Sequence, residues 1–123
     1  MPANQNKDSL RPAAGGMVTV NIPNEIVRLK ESAEWKSGDR HAVSLLKDRS
    51  LNLLLMVLKN GAKLHEHRTK GPIVLQVVSC SIRFQAETEC VASTGEIIGL
   101  DRNVPHRVEA LEESAIILVT AID

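Results

Sequence analysis

The sequence predicts an all-β domain, a sandwich or barrel of about nine short antiparallel strands behind one short N-terminal α-helix. From His41 onward, short apolar or alternating runs are separated by turn residues at intervals of roughly 6 to 12 residues. No helical pattern interrupts those runs, which disfavours a parallel α/β arrangement. The 123-residue length fits one domain, and a hydrophobic content of 43% supplies one core. Trp35 and Phe84 are the only aromatic side chains, so that core is built from Leu, Val, Ile and Ala.

Residues 1–16 are polar, carry prolines and end in a Gly-Gly pair, which reads as a flexible arm. The domain proper then spans 17–123. "MVTVNI" alternates weakly, like a short edge strand. A helix is expected over about 24–35, with Asn24 as N-cap and Ile26, Leu29 and Ala33 at near-helical spacing. Ser37-Gly38 ends it. The barrel follows over about 40–122. "AVSLLK" is a short strand, and "LNLLLMVLK" a longer one, apolar on both faces apart from Asn52 and therefore buried on both. Asn60-Gly61 marks a turn. "AKLHEH", "PIVLQVVS", "SIRFQA", "ECVAS", "EIIGL", "HRVEAL" and "SAIILVTAI" complete the set.

Charge and composition exclude several classes of function. Fifteen basic and fifteen acidic side chains cancel, with no long basic stripe. A nucleic-acid role needs such a stripe, and single-strand binding needs aromatic platforms. No run approaches the ~20 apolar residues of a membrane span. The N-terminus lacks the apolar segment of a secretory signal. Cys80 and Cys90 form no CxxC pattern and read as reduced thiols of a cytoplasmic protein. A hairpin turning at 87 and 88 sets position 85 opposite 90, so the two cysteines are not cross-strand partners.

His65 and His67 are the candidate chemistry. In a regular strand, residues i and i+2 share a face, about 6.6 Å apart along the strand. Two imidazoles can converge on one ion from there, provided a third ligand arrives from elsewhere. His106 stands just after Pro105 at the start of a later strand. By the same parity Glu66 points away into solvent, and His41 reads as a surface residue. Arg83 and Arg107 lie on alternating strands, where they face either solvent or a cavity that holds a carboxylate.

The stretches "GAKLHEHRTKGPIVLQV" and "TGEIIGLDRNVPHRVEALEESAIIL" resemble the two motifs of the cupin superfamily, over roughly residues 40 to 121. "HRTKGPIVLQV" in particular resembles the first motif of small single-domain cupins, which also carry an N-terminal helix ending in a segment like "SAEWKSGDR". The resemblance implies a jelly-roll β-barrel. It places His65, His67 and His106 at the positions where cupins bind a divalent transition metal: Fe, Mn, Ni, Cu or Zn. The glutamate usual four or five residues after the second histidine is replaced by Gly71 and Pro72, leaving Gln76 as the nearby fourth candidate. Cys80 occupies the turn where the first motif ends in glycine. "DRN" stands in place of "PxG", and Ala110 in place of a frequent asparagine.

The implied function is metal binding inside the barrel, with oxidation or isomerisation of a small organic molecule as the reaction class. The alternative is a non-catalytic small-ligand-binding or structural module with a vestigial metal site. The resemblance and an apolar sheet edge both point to a homodimer.

Overall fold

The computed structural model of the protein describes residues 16–121. The expected flexible arm, apart from Gly16, lies outside the described residues. Among those residues, nine strands form two antiparallel sheets. The strands are β1 (Arg40–Lys47), β2 (Leu51–Leu58), β3 (Lys63–His67), β4 (Ile73–Ser79), β5 (Ser81–Gln85), β6 (Glu89–Ser93), β7 (Ile97–Leu100), β8 (His106–Ala110) and β9 (Ser114–Ala121). The large sheet runs β1-β2-β9-β4-β7 and the small one β3-β8-β5-β6. Chain neighbours repeatedly fall in opposite sheets, as in a jelly roll. No helix of the described residues is long and apolar enough to cross a membrane.

Strand alternation divides the apolar residues between two cores. Leu58, Ile73, Leu75, Val77, Ile82, Phe84, Val108 and Ile116 fill the space between the sheets. Val43, Leu45, Leu55, Val57 and Ala115 face the other side of the large sheet and pack against Leu29 and Trp35. The double-faced burial expected of "LNLLLMVLK" is explained by this second core.

The N-terminal segment departs from its sequence reading in three places. The edge strand expected at 17–22 does not form: Met17 makes a single bridge, and residues 18–21 are irregular. The single helix expected over about 24–35 is two, α1 (Ile22–Lys30) and α2 (Ala33–Ser37). Ser32 breaks it. Its hydroxyl donates to the Leu29 carbonyl at 2.7 Å and accepts from the Trp35 amide at 3.1 Å, ending one helix and capping the next. The first N-cap is Asn21, whose side-chain oxygen accepts from the Asn24 amide at 2.9 Å. Asn24 therefore lies inside the helix, behind Pro23.

Backbone geometry accounts for two of the substitutions in the motifs. Cys80 has φ +71° in the β4–β5 turn, and Asn103 has φ +62° in the loop before β8. Both stand where the cupin motifs carry glycine, and both keep the left-handed backbone that glycine favours. Asparagine tolerates that conformation locally, but cysteine has no such compensation. Gly71 meets a different constraint, because a Cβ there would collide with the Ala121 carbonyl. On urea denaturation, Cys80→Gly is expected to raise stability by up to about 1 kcal/mol. Gly71→Ala is expected to lower it by about 1–3 kcal/mol through backbone displacement.

Candidate functional site

Strand β3 is an edge strand of the small sheet, and its pairing with β8 is irregular. Leu64 lies opposite Val108, but His67 lies opposite His106. Three steps along β3 are matched to two along β8, so one extra residue bulges out between Leu64 and His67. Val108 and His106 are buried and share the inward face of β8. Leu64 and His67, their partners, share the inward face of β3.

The bulge breaks the i, i+2 relation on which the sequence reading of His65 and His67 relies. His67 faces His106, with ring centroids 4.3 Å apart and planes at 62°. His65 instead joins Lys63, Glu66, Gln85, Arg107 and Glu109 around a depression of about 290 Å³ on the outside of the small sheet. Gln76 is exposed on β4 between Leu75 and Val77, both buried, so it lies on the outward face of the large sheet. Of the four residues put forward as ligands, the fold brings together two, His67 and His106. Among the described residues no three His, Cys, Asp or Glu side chains are grouped to hold a metal ion.

Both inward rings are fixed in orientation. His67 Nδ1 is 3.1 Å from the carbonyl of His65, and His106 Nδ1 is 2.9 Å from that of Val104. A carbonyl oxygen only accepts, so each Nδ1 carries the proton. In the neutral ring, Nε2 then keeps its lone pair. His106 is only 3% exposed and stacks at 5.6 Å on Phe84, whereas His67 is open to solvent at the barrel mouth. Burial pushes the His106 pKa below the ordinary histidine range, and the neighbouring charge of His67 adds to this against the opposing bond to Val104.

The other candidates lie away from this pair. Arg83 is held on the outer face by Glu109 at 2.9 Å and Glu89 at 3.2 Å, while Arg107 is exposed and lines the outer depression. Cys80 and Cys90 are free thiols. Cys90 pairs with Phe84, one residue from the expected partner at 85, because the hairpin pairs Gln85 with Glu89.

Two outcomes are expected from the metal-free protein in solution. Nitrogen-15 NMR should find Nε2 of His106 unprotonated at neutral pH, with that ring titrating below the ordinary value of 6.5. Because the folded state favours neutral His106, its contribution to stability is fully present above 6.5 and is lost as pH falls through the lowered folded value. A His106 midpoint at or above 6.5 would contradict this burial.

No family model and no curated protein matches the sequence. Solved structures do. A cupin-2 domain protein from Shewanella frigidimarina aligns with TM-score 0.67 at 13% identity, covering 84% of this chain and 94% of that one. A cupin 2 conserved barrel protein from Leptotrichia buccalis aligns with TM-score 0.66 at 23% identity, covering 76% of this chain and 46% of that one. A salicylate 1,2-dioxygenase variant from Pseudoaminobacter salicylatoxidans, in complex with gentisate, aligns with TM-score 0.73 at 14% identity, covering 82% of this chain and 32% of that one. Nine strands in two antiparallel sheets, a pair of inward histidines on neighbouring strands and these alignments lead to one conclusion: the chain is a small protein of the cupin fold.

Proposed function

We propose that this cupin barrel binds a divalent transition metal at its mouth through Nε2 of His67 and His106. The single observation that carries the reading is the hydrogen bond from each Nδ1 to a backbone carbonyl. Metal-ligating histidines are oriented in this way by their second nitrogen, which leaves the first free to coordinate. Fe, Mn, Ni, Cu and Zn all accept imidazole ligands. The set of three histidines with Gln76 does not fit, because His65 and Gln76 lie outside the barrel. A bound ion with few protein ligands would supply Lewis-acid or oxygen-activating chemistry, which supports oxidation or isomerisation of a small organic molecule as the reaction class.

A specific observation favours the alternative, a non-catalytic ligand-binding or structural barrel. Apart from His67 and His106, the charged side chains of the small sheet are turned outward, where Arg83 pairs with both Glu89 and Glu109. The wall beside His106 is apolar, with Phe84 stacked on its ring and Val108 on the same face of β8. Among the described residues, no ionisable side chain other than the imidazoles themselves is placed beside this pair to act as a general base. The homodimer belongs to this proposal as well. Val74 and Ile97 are exposed on the outward face of β4 and β7, and that face, with Gln76 and Gly99, carries no charge to repel a second copy. Free thiols at Cys80 and Cys90 support placement in the cytoplasm.

Elemental analysis of the protein after loading with each of the five metals tests the metal reading. One equivalent is expected in the wild type, in His65→Ala and in Gln76→Ala, with loss in His67→Ala and His106→Ala. A wild type that takes up none of the five sinks it and leaves the binding module. Light scattering tests the dimer: Ile97→Glu is expected to convert a dimeric wild type to monomer, and a monomeric wild type would refute it.

A further inference from the structure

We propose that Asn52 supplies the third donor atom of the His67–His106 site through its side-chain oxygen, completing a two-nitrogen, one-oxygen set for the metal ion. The inference rests on the metal reading above and adds a residue from the opposite sheet.

Strand register sets the position of Asn52. Asn52 pairs with Thr120, Thr120 with Ile73, and Ile73 with Leu100. Residues paired across a sheet share a face, and Ile73 belongs to the core between the sheets. Asn52 therefore stands on the inward face of β2. The end of the barrel follows from the connections. The chain passes from His67 through residues 68–72 to Ile73, and from Leu100 through residues 101–105 to His106. The Asn103 amide donates to the Thr69 carbonyl at 2.8 Å, clamping those two loops together. The row Asn52–Thr120–Ile73–Leu100 thus meets the small sheet at the end that carries the two histidines. The Asn60-Gly61 turn joins β2 to β3 at the other end.

The Oδ1 atom of Asn52 is buried and has no hydrogen-bond partner. Buried polar atoms are nearly always satisfied, so an orphan acceptor calls for a partner that brings positive charge or a proton. At the same end of the barrel, two imidazole nitrogens also hold lone pairs. Neutral nitrogen and carbonyl-oxygen donors together form a set that accepts a divalent transition metal without a carboxylate.

Cobalt(II) is the probe. Metal-free full-length protein is titrated with Co²⁺ and followed by calorimetry and visible absorption. Asn52→Leu is expected to weaken binding at least about tenfold and to alter the ligand-field spectrum, while melting higher than wild type without metal because the orphan is gone. Asn52→Asp keeps an oxygen donor, adds charge and is expected to bind about tenfold tighter or more. It carries the test if the leucine variant does not fold. Unchanged affinity and spectrum in the Asn52 variants overturn the role of Asn52, and the histidine reading stands if His67→Ala still abolishes binding. A wild type that binds no Co²⁺ overturns both.

Discussion

The β1, β2 and β9 part of the large sheet is packed on both faces, and the rest of the molecule is arranged around that constraint. Along β2, Val57 turns toward the helices and Leu58 toward the barrel. Along β9, Ala115 and Ile116 divide in the same way. A strand apolar on both faces cannot remain at a solvated surface. The small sheet closes one face, and α1 and α2 close the other through Leu29 and Trp35. The helices reach β1, β2 and β9 and leave the outward face of β4 and β7 uncovered, where Val74 and Ile97 lie open. The helices are thus a structural lid on a sheet, and they stand on the far side of that sheet from the histidine pair.

The bulge in β3 plays the corresponding part for the site. Side chains in a strand alternate, so one inserted residue moves every later side chain to the other face. Without it, Leu64 inward would mean His65 outward, Glu66 inward and His67 outward. With it, Leu64 and His67 both point inward and the glutamate stays in water. An edge strand can absorb this irregularity because it has a neighbour on one side only. The same device spares the barrel a buried carboxylate with no cation beside it, an expensive arrangement.

Most of the fold was legible in the sequence because it depends on period and punctuation. The nine strand segments read from His41 onward are strands, since Asn60-Gly61, Gly95 and Pro105 mark their limits, whereas the weakly alternating 17–22 is not. The helix was misjudged because Ser32 looks like an interior residue until its hydroxyl is seen bonded to the preceding turn. The histidine pair was half legible. His67 and His106 stand in recognisable contexts, but a bulge has no side-chain signature, so parity counted from His65 gives the wrong partner. Asn52 gave a faint signal, a polar residue at the start of an otherwise apolar strand. Its significance lies in the pairing across β2, β9 and β4, which no local pattern records.

The single tryptophan gives the second core an optical address. Trp35 is 7% exposed, wedged against the outer side of the large sheet, with the ammonium groups of Lys59 and Lys30 at 5.0 Å and 5.9 Å from its ring. There is no other indole and no tyrosine. Intrinsic fluorescence of this protein is therefore a reading of one place, the seat of the helices, taken under the field of two cations. It will follow the lifting of that lid and be largely blind to events at the mouth of the barrel. Peeling of the helices and opening of the barrel are thereby separable as distinct steps, one seen in emission and the other only in the imidazoles.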